Sequence, residues 1–500
     1  MSFPSQPTVG LVAHPAGLRT LFFTEMWERF SYYGMRAFLV LFMVAGGERG
    51  GLGLDDKTAT AIYGLYAAAV YVLAIPGGWI ADRLLGAQRA IWYGGIVIML
   101  GHFTLAVPSV YAFFLGLLLV VLGTGLLKPN MSALVGELYA SDDVRRDAGF
   151  TLYYMGINVG AFLGPLVCST LAENETFGWH WGFAAAGVGM AIGLLYFRHS
   201  RPLLGEAGLR ASQRPEIPAE RAAMRAGWNH VWIGLALLAL VTAALMSGLV
   251  PVDAAKVAAN SMAAIVVFGG LFLAYLLRFG GLDAVERRRV LAIFILSMAG
   301  SLFWAGFEQA GSTLNLFAER YTDRMLGGFE IPSGWFQSLN SAFIFLFAPV
   351  LATLWIHLAR RRREPGTPIK FAFALFVLAA GFAVMIPAAG LVSGGEKALP
   401  TWLIATYFFH TVAELALSPV GLSVTTKLAP RRYAGQMMGI WFLTLALGNL
   451  IAGLAAGRFN PEELQEMPML YGQIVLMSAG TGVLLLLLLR PLRRLMGGVH

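Results

Sequence analysis

Long apolar runs separated by short polar segments dominate this chain. Six of them open the sequence, at roughly 17–46, 56–81, 88–107, 110–138, 146–172 and 178–198. Two more follow at roughly 228–250 and 257–279, and the last six lie at roughly 288–318, 334–359, 369–391, 400–428, 433–457 and 469–490. An α-helix needs ~20 apolar residues to cross a bilayer. The pattern therefore predicts an all-α membrane protein with about fourteen spanning helices.

A polar stretch rich in Arg and Pro interrupts this series after the sixth run. Its composition is typical of a linker rather than of a packed element. The sequence therefore predicts an N-terminal six-helix bundle over 1–200 and a cytoplasmic linker over 201–227. An inserted two-helix hairpin over 228–285 and a C-terminal six-helix bundle over 286–500 follow.

Basic residues alternate between successive loops. Even-numbered loops carry Arg and Lys, among them Arg145 with Arg146 and the run Arg360 to Arg363, whereas odd-numbered loops are acidic or mixed. Cytoplasmic loops of membrane proteins carry an excess of Lys and Arg. We therefore expect a multi-pass protein of the cell inner membrane with both termini in the cytoplasm.

Composition excludes a soluble protein. Of 500 residues, 57% are hydrophobic and only 13% are charged, too few to cover a water-exposed surface. The net charge of +8 lies in short loops, so it indicates membrane topology and not nucleic-acid binding. The single cysteine, Cys168, cannot form an intramolecular disulfide and is interpreted as a packing residue.

The loop between the second and third runs, GGWIADRLLGAQRA, resembles the motif found there in the major facilitator superfamily. Glycines permit a tight turn, and Asp and Arg can bond to helix ends. An ordinary charged loop is the alternative interpretation. The resemblance implies a structural role for Gly78, Asp82, Arg83, Gly86 and Arg89.

Ionisable residues inside the predicted helices need an explanation, because each costs roughly 3 kcal/mol or more at mid-membrane. Seven stand out, namely Glu25, Glu28, Arg29, Arg36, Lys128, Glu308 and Glu414. On the first helix, a periodicity of about 100° per residue places the polar residues within one arc of roughly 140°. They are Glu25, Glu28, Arg29, Tyr32, Tyr33 and Arg36. Such a stripe faces protein or water, either as a functional surface or as a salt-bridged packing seam.

The charges also correspond between the two halves. In the superfamily, the two bundles are related by an axis along the membrane normal, with the substrate site between them. This places Arg36 opposite Glu308 and Lys128 opposite Glu414, which suggests salt bridges that form and break with alternating access. The seven residues comprise four acids and three bases. One carboxylate therefore lacks a fixed partner and is a candidate proton carrier. Cations on one bundle and carboxylates on the other suit a zwitterionic substrate.

Six segments resemble the proton-dependent oligopeptide transporter family. TEMWERFSYYGMR contains the family's E-x-x-E-R signature in Glu25, Glu28 and Arg29. The others match in order its fourth, fifth, seventh, eighth and tenth core helices. They are GTGLLKPNMSALVG, FTLYYMGINVGAFLGP, FWAGFEQAGSTLNLF, WFQSLNSAFIFLFAPVLA and ELALSPVGLS. An inserted helix pair is also typical of bacterial members.

The resemblance implies roles for individual residues. Proton coupling is expected of Glu25, Glu28, Arg29 and Glu308. Substrate binding is expected of Arg36, Lys128, Glu414, Asn158, Asn340, Tyr32, Tyr33, Tyr71, Trp304 and Trp441. The gate salt bridges are Arg36 with Glu308 and Lys128 with Glu414. Packing is an equal interpretation for Tyr71 and Trp441, and Leu445 stands where some members carry a small polar residue.

These observations predict a symporter that imports di- and tripeptides with protons, driven by the proton gradient without cofactor or metal, and acting as a monomer. The alternative on the same fold is transport of another small zwitterion or anion, such as nitrate or an amino-acid conjugate. Retention of both Lys128 and Glu414 favours the peptide. The sequence lacks H-E-x-x-H and G-x-S-x-G motifs, so we do not expect an enzyme. A scaffold would not retain seven costly charges.

Overall fold

The computed structural model describes residues 14–140, 143, 145–209, 218–248, 252–458 and 463–498. Nearly all of this part is helical. The first helices are α1 Ala16–Val44, α2 Asp56–Ile80, α3 Ala87–Leu105, α4 Val110–Glu137, α5 Arg146–Ala172 and α6 Trp179–Ser200. Next come α7 Pro218–Met246, α8 Ala254–Phe279, α9 Ala284–Phe307, α10 Thr313–Tyr321 and α11 Trp335–Arg360. The last are α12 Thr367–Ser393, α13 Pro400–Leu428, α14 Ala434–Ala456, α15 Met467–Leu487 and α16 Leu489–Met496.

Every apolar run identified in the sequence overlaps a described helix, and the run over 288–318 covers two of them. Twelve of the described helical segments are long and apolar enough to cross a membrane. The long helices α1 and α3 are not among these twelve. α1 carries five ionisable side chains, and α3 opens with Gln88 and Arg89. These polar residues lower the mean hydropathy of both helices.

The chain divides into two compact units. The first unit contains residues 1–35 and 72–253, and the second contains 36–71 and 254–500. α1 and α2 are therefore each divided between the units, so that Arg36 belongs to the second unit although Glu25 belongs to the first.

Glycines allow close helix packing within the first unit. A Cβ added to Gly94 of α3 would lie 2.8 Å from the carbonyl oxygen of Gly123 of α4. On α1, a Cβ at Gly34 would lie 2.6 Å from Cys168 Sγ, so the buried thiol fills the space beside this glycine. Small residues at helix crossings let backbones approach where lipid supplies no hydrophobic driving force.

The start of α7 lies earlier than the apolar pattern indicates. The helix begins at Pro218, whereas the predicted run begins at 228. The intervening stretch, PAERAAMRAG, contains four Ala, two Arg and one Glu. These are strong helix formers, but the charged residues keep the stretch out of the apolar run. The predicted linker over 201–227 therefore includes the first turns of α7, and its residues 210–217 lie outside the described part of the chain.

The predicted single helix over 288–318 is interrupted. α9 ends at Phe307, a 3-10 turn covers Glu308–Gly311, and α10 begins at Thr313. A two-stranded antiparallel hairpin follows, pairing β1 Met325–Leu326 with β2 Phe329–Glu330. Discontinuous membrane helices are a common feature of substrate sites in transporters.

Candidate functional site

The E-x-x-E-R signature of α1 forms a buried ionic cluster in the first unit. Arg29 Nε donates to Glu25 Oε1 over 2.8 Å and lies 2.7 Å from Glu28 Oε2. All three residues are at most 3% exposed. The Arg29 guanidinium also lies 5.7 Å from the ring centroid of Tyr32. One cation is thus shared by two carboxylates. Buried charges require partners of opposite sign, and Arg29 serves both acids.

Lys128 of α4 extends this cluster. It is half-buried and close enough to Glu28 for the two charges to interact. The cluster in the first unit therefore contains two acids and two bases. The predicted pairing of Lys128 with Glu414 would link residues of the two units and stays a prediction.

α5 approaches α1 closely beside this cluster. A Cβ at Gly160 would lie 2.1 Å from the carbonyl oxygen of Met26 and 2.9 Å from Arg29 Cβ. Asn158, two residues earlier, is buried, and its Nδ2 donates to the carbonyl of Tyr154 in its own helix over 2.9 Å. Its expected contact with a peptide backbone stays a prediction.

In the second unit, the structure brings Arg36 and Glu308 together. Arg36 Nη2 donates to Glu308 Oε2 over 2.5 Å, and Arg36 Nε donates to the Tyr63 hydroxyl over 2.5 Å. Arg36 and Glu308 are 8% and 4% exposed, and Tyr63 is fully buried. A buried ion pair is stable only with good geometry and additional hydrogen bonds, and Tyr63 supplies one of them.

The break after α9 creates the space for this contact. Glu308 is the first residue of the 3-10 turn and Gly311 the last. A Cβ at Gly311 would lie 2.0 Å from the Tyr63 hydroxyl and 3.1 Å from Arg36 Nε. A side chain at this position would therefore displace the hydrogen bond between Tyr63 and Arg36.

Side chains satisfy part of the backbone that the break frees. Gln309 Nε2 donates to the carbonyls of Ala305 and Ala452, over 3.2 and 3.3 Å. The Thr313 hydroxyl donates to Gln309 Oε1. Irregular backbone at membrane depth is tolerated where such partners exist or where it lines a cavity. The break in the second unit is thus stabilised by side-chain hydrogen bonds.

Glu414 forms the third element of the site. Asn340 Nδ2 of α11 donates to Glu414 Oε2 over 2.9 Å and to Thr411 Oγ1 over 3.1 Å. The half-buried Glu414 is close enough to Glu308 and Arg36 to interact with both charges. The second unit therefore holds two carboxylates near one guanidinium.

The aromatic candidates differ in their surroundings. Trp304 and Trp441 are 6% and 4% exposed. Trp304 packs on Gly448, and Trp441 packs on Gly421. Tyr71 packs against a small apolar cluster of the second unit. These contacts favour the packing interpretation for Tyr71 and Trp441. On α1, the rings of Tyr32 and Tyr33 meet edge to face with centroids 5.4 Å apart.

The loop motif adopts a π-helical turn over Ala81–Leu85. Gly86 ends it with a φ of 78°, a conformation that favours glycine. Asp82 and Arg83 are exposed, and within the described residues neither side chain makes a hydrogen bond or an ion pair. Gly78 lies near Pro129 of α4, because a Cβ added to Gly78 would lie 3.9 Å from the Pro129 Cβ. Arg89 lies in the first turn of α3.

Sequence reasoning missed Tyr63 and Gln309. A signal for Tyr63 exists in α2, where Tyr63, Tyr66 and Tyr71 fall within an arc of roughly 140° at about 100° per residue. Gln309 adjoins Glu308 in the segment that resembles the family's seventh helix. In the described part of the chain, no group of three or more His, Cys, Asp or Glu side chains could hold a metal ion.

Comparison with known proteins decides the family. The model described as the POT family matches residues 88–469. The chain belongs to the POT family. It is 42% identical to a peptide transporter of Yersinia enterocolitica, covering 97% of this chain and 96% of the relative. It is 36% identical to a di-/tripeptide transporter of Lactococcus lactis, covering 97% of both.

A solved structure supports the same assignment. A mutant of a peptide transporter POT in complex with alafosfalin matches with a TM-score of 0.88 and 41% identity, covering 98% of both chains. This POT-family chain is therefore a multi-pass membrane protein with the major facilitator fold predicted from its sequence. Its membrane location and its fold class are confirmed.

Proposed function

We propose that the protein imports di- and tripeptides together with protons by alternating access. The proposal places it in a bacterial inner membrane with both termini in the cytoplasm. It acts as a monomer, uses the proton gradient without cofactor or metal, catalyses no covalent chemistry and binds no nucleic acid. Its support is membership of the POT family together with the peptide transporters that the chain resembles.

The charge arrangement supports a zwitterionic substrate. Glu414 is half-buried and held by the Asn340 amide, so an ammonium group could bond to a carboxylate that is already oriented. Arg36 can offer two donors to a carboxylate, an especially strong and directional interaction. A peptide carries both groups at its ends.

The observation that carries the proton coupling is the buried Arg36–Glu308 pair at the helix break. Protonation of Glu308 would remove the charge that holds Arg36 Nη2. Arg36 would then keep its bond to Tyr63 and become available to a substrate carboxylate. Deprotonation would restore the pair. Proton uptake and substrate binding are thereby linked through one guanidinium, with the cluster of Glu25, Glu28 and Arg29 as a second proton-responsive group.

The test is uptake of radiolabelled dialanine by purified protein in proteoliposomes with an inward proton gradient. We expect accumulation that collapses with an uncoupler. Glu308→Gln should abolish accumulation while exchange of peptide across the membrane continues. Glu319→Gln is the matched control, because Glu319 is an ion-paired carboxylate that contacts Arg324 at 2.9 Å and lies outside the site.

Accumulation that Glu308→Gln leaves intact would contradict the coupling role of Glu308. Absence of dialanine uptake, binding and exchange in the wild-type protein would reject the hypothesis that peptides are the substrate. Competition assays with amino-acid conjugates and nitrate would then test the alternative substrates.

A further inference from the structure

An apolar groove lies between α8, α9 and α14 in the second unit. Its volume is about 350 Å³. The lining includes Val266, Gly269 and Gly270 of α8, Leu291 of α9 and Leu447 of α14. Val266 is 48% exposed, and a Cβ on either glycine would meet nothing within 4 Å. The groove is therefore open on the α8 side.

The length of the groove matches one leaflet of a bilayer. On α9 its lining runs from Leu291 to Ser301, a rise of roughly 15 Å. The hydrocarbon core is ~30 Å thick, so the groove extends over about half of it. An acyl chain from one leaflet has the right length and chemistry to fill it.

A cation lies at the end of the groove. Arg287 is one turn before Leu291 and two turns before Phe294, so it continues the groove-lining stripe of α9. Its side chain is exposed. Among the residues that the structure describes, its guanidinium has no hydrogen-bond or ion-pair partner. The loop charges predict that this end of α9 is cytoplasmic, where anionic lipids attract basic side chains.

The neighbouring acids do not neutralise Arg287. Asp283 Oδ1 accepts the backbone N–H groups of Val285 and Glu286, over 2.7 and 2.8 Å. Glu286 Oε2 accepts from the Asp283 N–H over 3.1 Å and from Arg432 Nη2 over 3.2 Å. Both carboxylates are thus occupied by the capping box and by Arg432.

The same end of the groove is fixed by contacts between helices. The Tyr433 hydroxyl donates to the carbonyl of Gly280 over 3.2 Å, and Arg432 Nη2 donates to the carbonyl of Gly281. These contacts join the start of α14 to the end of α8, so the groove keeps its shape beside Arg287.

We propose that this groove binds one anionic glycerophospholipid. An acyl chain lies along Gly270 and Leu291, and the phosphate contacts Arg287. The site depends on the membrane location of the chain and is independent of the substrate that the protein transports.

The test uses native mass spectrometry of the full-length protein with added phosphatidylglycerol or phosphatidylethanolamine. Gly270→Leu places a side chain in the groove from a position where an added Cβ meets nothing within 4 Å, and Arg287→Gln removes the charge. Gly234→Leu on α7 is the matched control for the first, because its Cβ also meets nothing within 4 Å. Arg363→Gln, in the exposed turn after α11, is the control for the second.

We expect Arg287→Gln to lower phosphatidylglycerol affinity about fivefold, the effect of one basic residue near an anionic surface. Gly270→Leu should lower it at least as much, while both controls bind like the wild-type protein. Equal retention of the two lipids would overturn the proposal. So would loss in Arg287→Gln without loss in Gly270→Leu, or equal loss in test and control variants. Size-exclusion profiles confirm that each variant is folded.

Discussion

Tyr63→Phe isolates the hydrogen bond that supports the Arg36–Glu308 pair. Tyr63 is fully buried, and its hydroxyl accepts from Arg36 Nε over 2.5 Å. Phenylalanine keeps the ring and its packing and removes the hydroxyl that accepts this hydrogen bond. A hydrogen bond to a charged group contributes about 1.5–3 kcal/mol. We therefore expect the substitution to lower the free energy of unfolding by about 2 kcal/mol.

The second unit offers a matched control in Tyr471. It is also fully buried, and its ring packs against Phe317 and Phe382 with centroid distances of 6.2 Å. Within the described residues its hydroxyl has no hydrogen-bond partner. Because a buried unsatisfied hydroxyl is unfavourable, Tyr471→Phe should leave stability unchanged or raise it by about 1 kcal/mol.

Equilibrium unfolding in mixed detergent micelles compares the two variants with the wild-type protein. The free energy of unfolding is extrapolated linearly to zero denaturant. The reasoning requires effects of opposite sign, or at least a clear loss in Tyr63→Phe alone. Indistinguishable values for Tyr63→Phe and Tyr471→Phe would refute it, since the two substitutions remove the same atom from equally buried rings.

Two further predictions concern helix packing and an ion pair between α4 and α5. Gly453→Ala should lower the melting temperature, because its Cβ would lie 2.5 Å from the carbonyl oxygen of Thr60 and overpacking costs about 1–3 kcal/mol. In the control Gly472→Ala, the added Cβ meets nothing within 4 Å, so the melting temperature should not change. Equal melting temperatures for the two variants would contradict the packing argument. The Arg145 side chain bonds to Asp143 and, with the Arg145 backbone N–H, lowers the pKa of Asp143 to about 2. The melting-temperature loss in Asp143→Asn should be constant above about pH 4, the ordinary carboxyl pKa, and should vanish as the pH falls toward 2. A loss that persists at pH 2 would argue against it.

The sequence predicts the helices well because hydropathy reports directly which segments lie in lipid. It fails where a tertiary contact decides the local structure. The run over 288–318 is apolar on average, so its hydropathy pattern does not mark the break at Glu308. The break becomes intelligible only in the structure, where Gly311 admits the Tyr63 hydroxyl next to Arg36.

The site was predicted less completely than the helices. Buried charge alone singles out Arg36 and Glu308, and the structure joins them. Correspondence between the two halves relates Lys128 to Glu414, but it specifies helices and not side-chain directions. Lys128 therefore has an electrostatic partner in Glu28 of its own unit that the correspondence does not reveal.

The separation of Arg36 from Glu308 along the chain has a consequence for biosynthesis. The two residues are 272 positions apart, and ribosomes add roughly 5–20 residues per second. Arg36 therefore emerges roughly 15–50 s before its carboxylate partner. Tyr63 follows after only 27 positions, within a few seconds. A lone arginine at mid-membrane is unfavourable by about 2.5–3.5 kcal/mol, so we expect the nascent hairpin of α1 and α2 to become fully stable in the bilayer only once α9 has been synthesised and Glu308 can pair with Arg36.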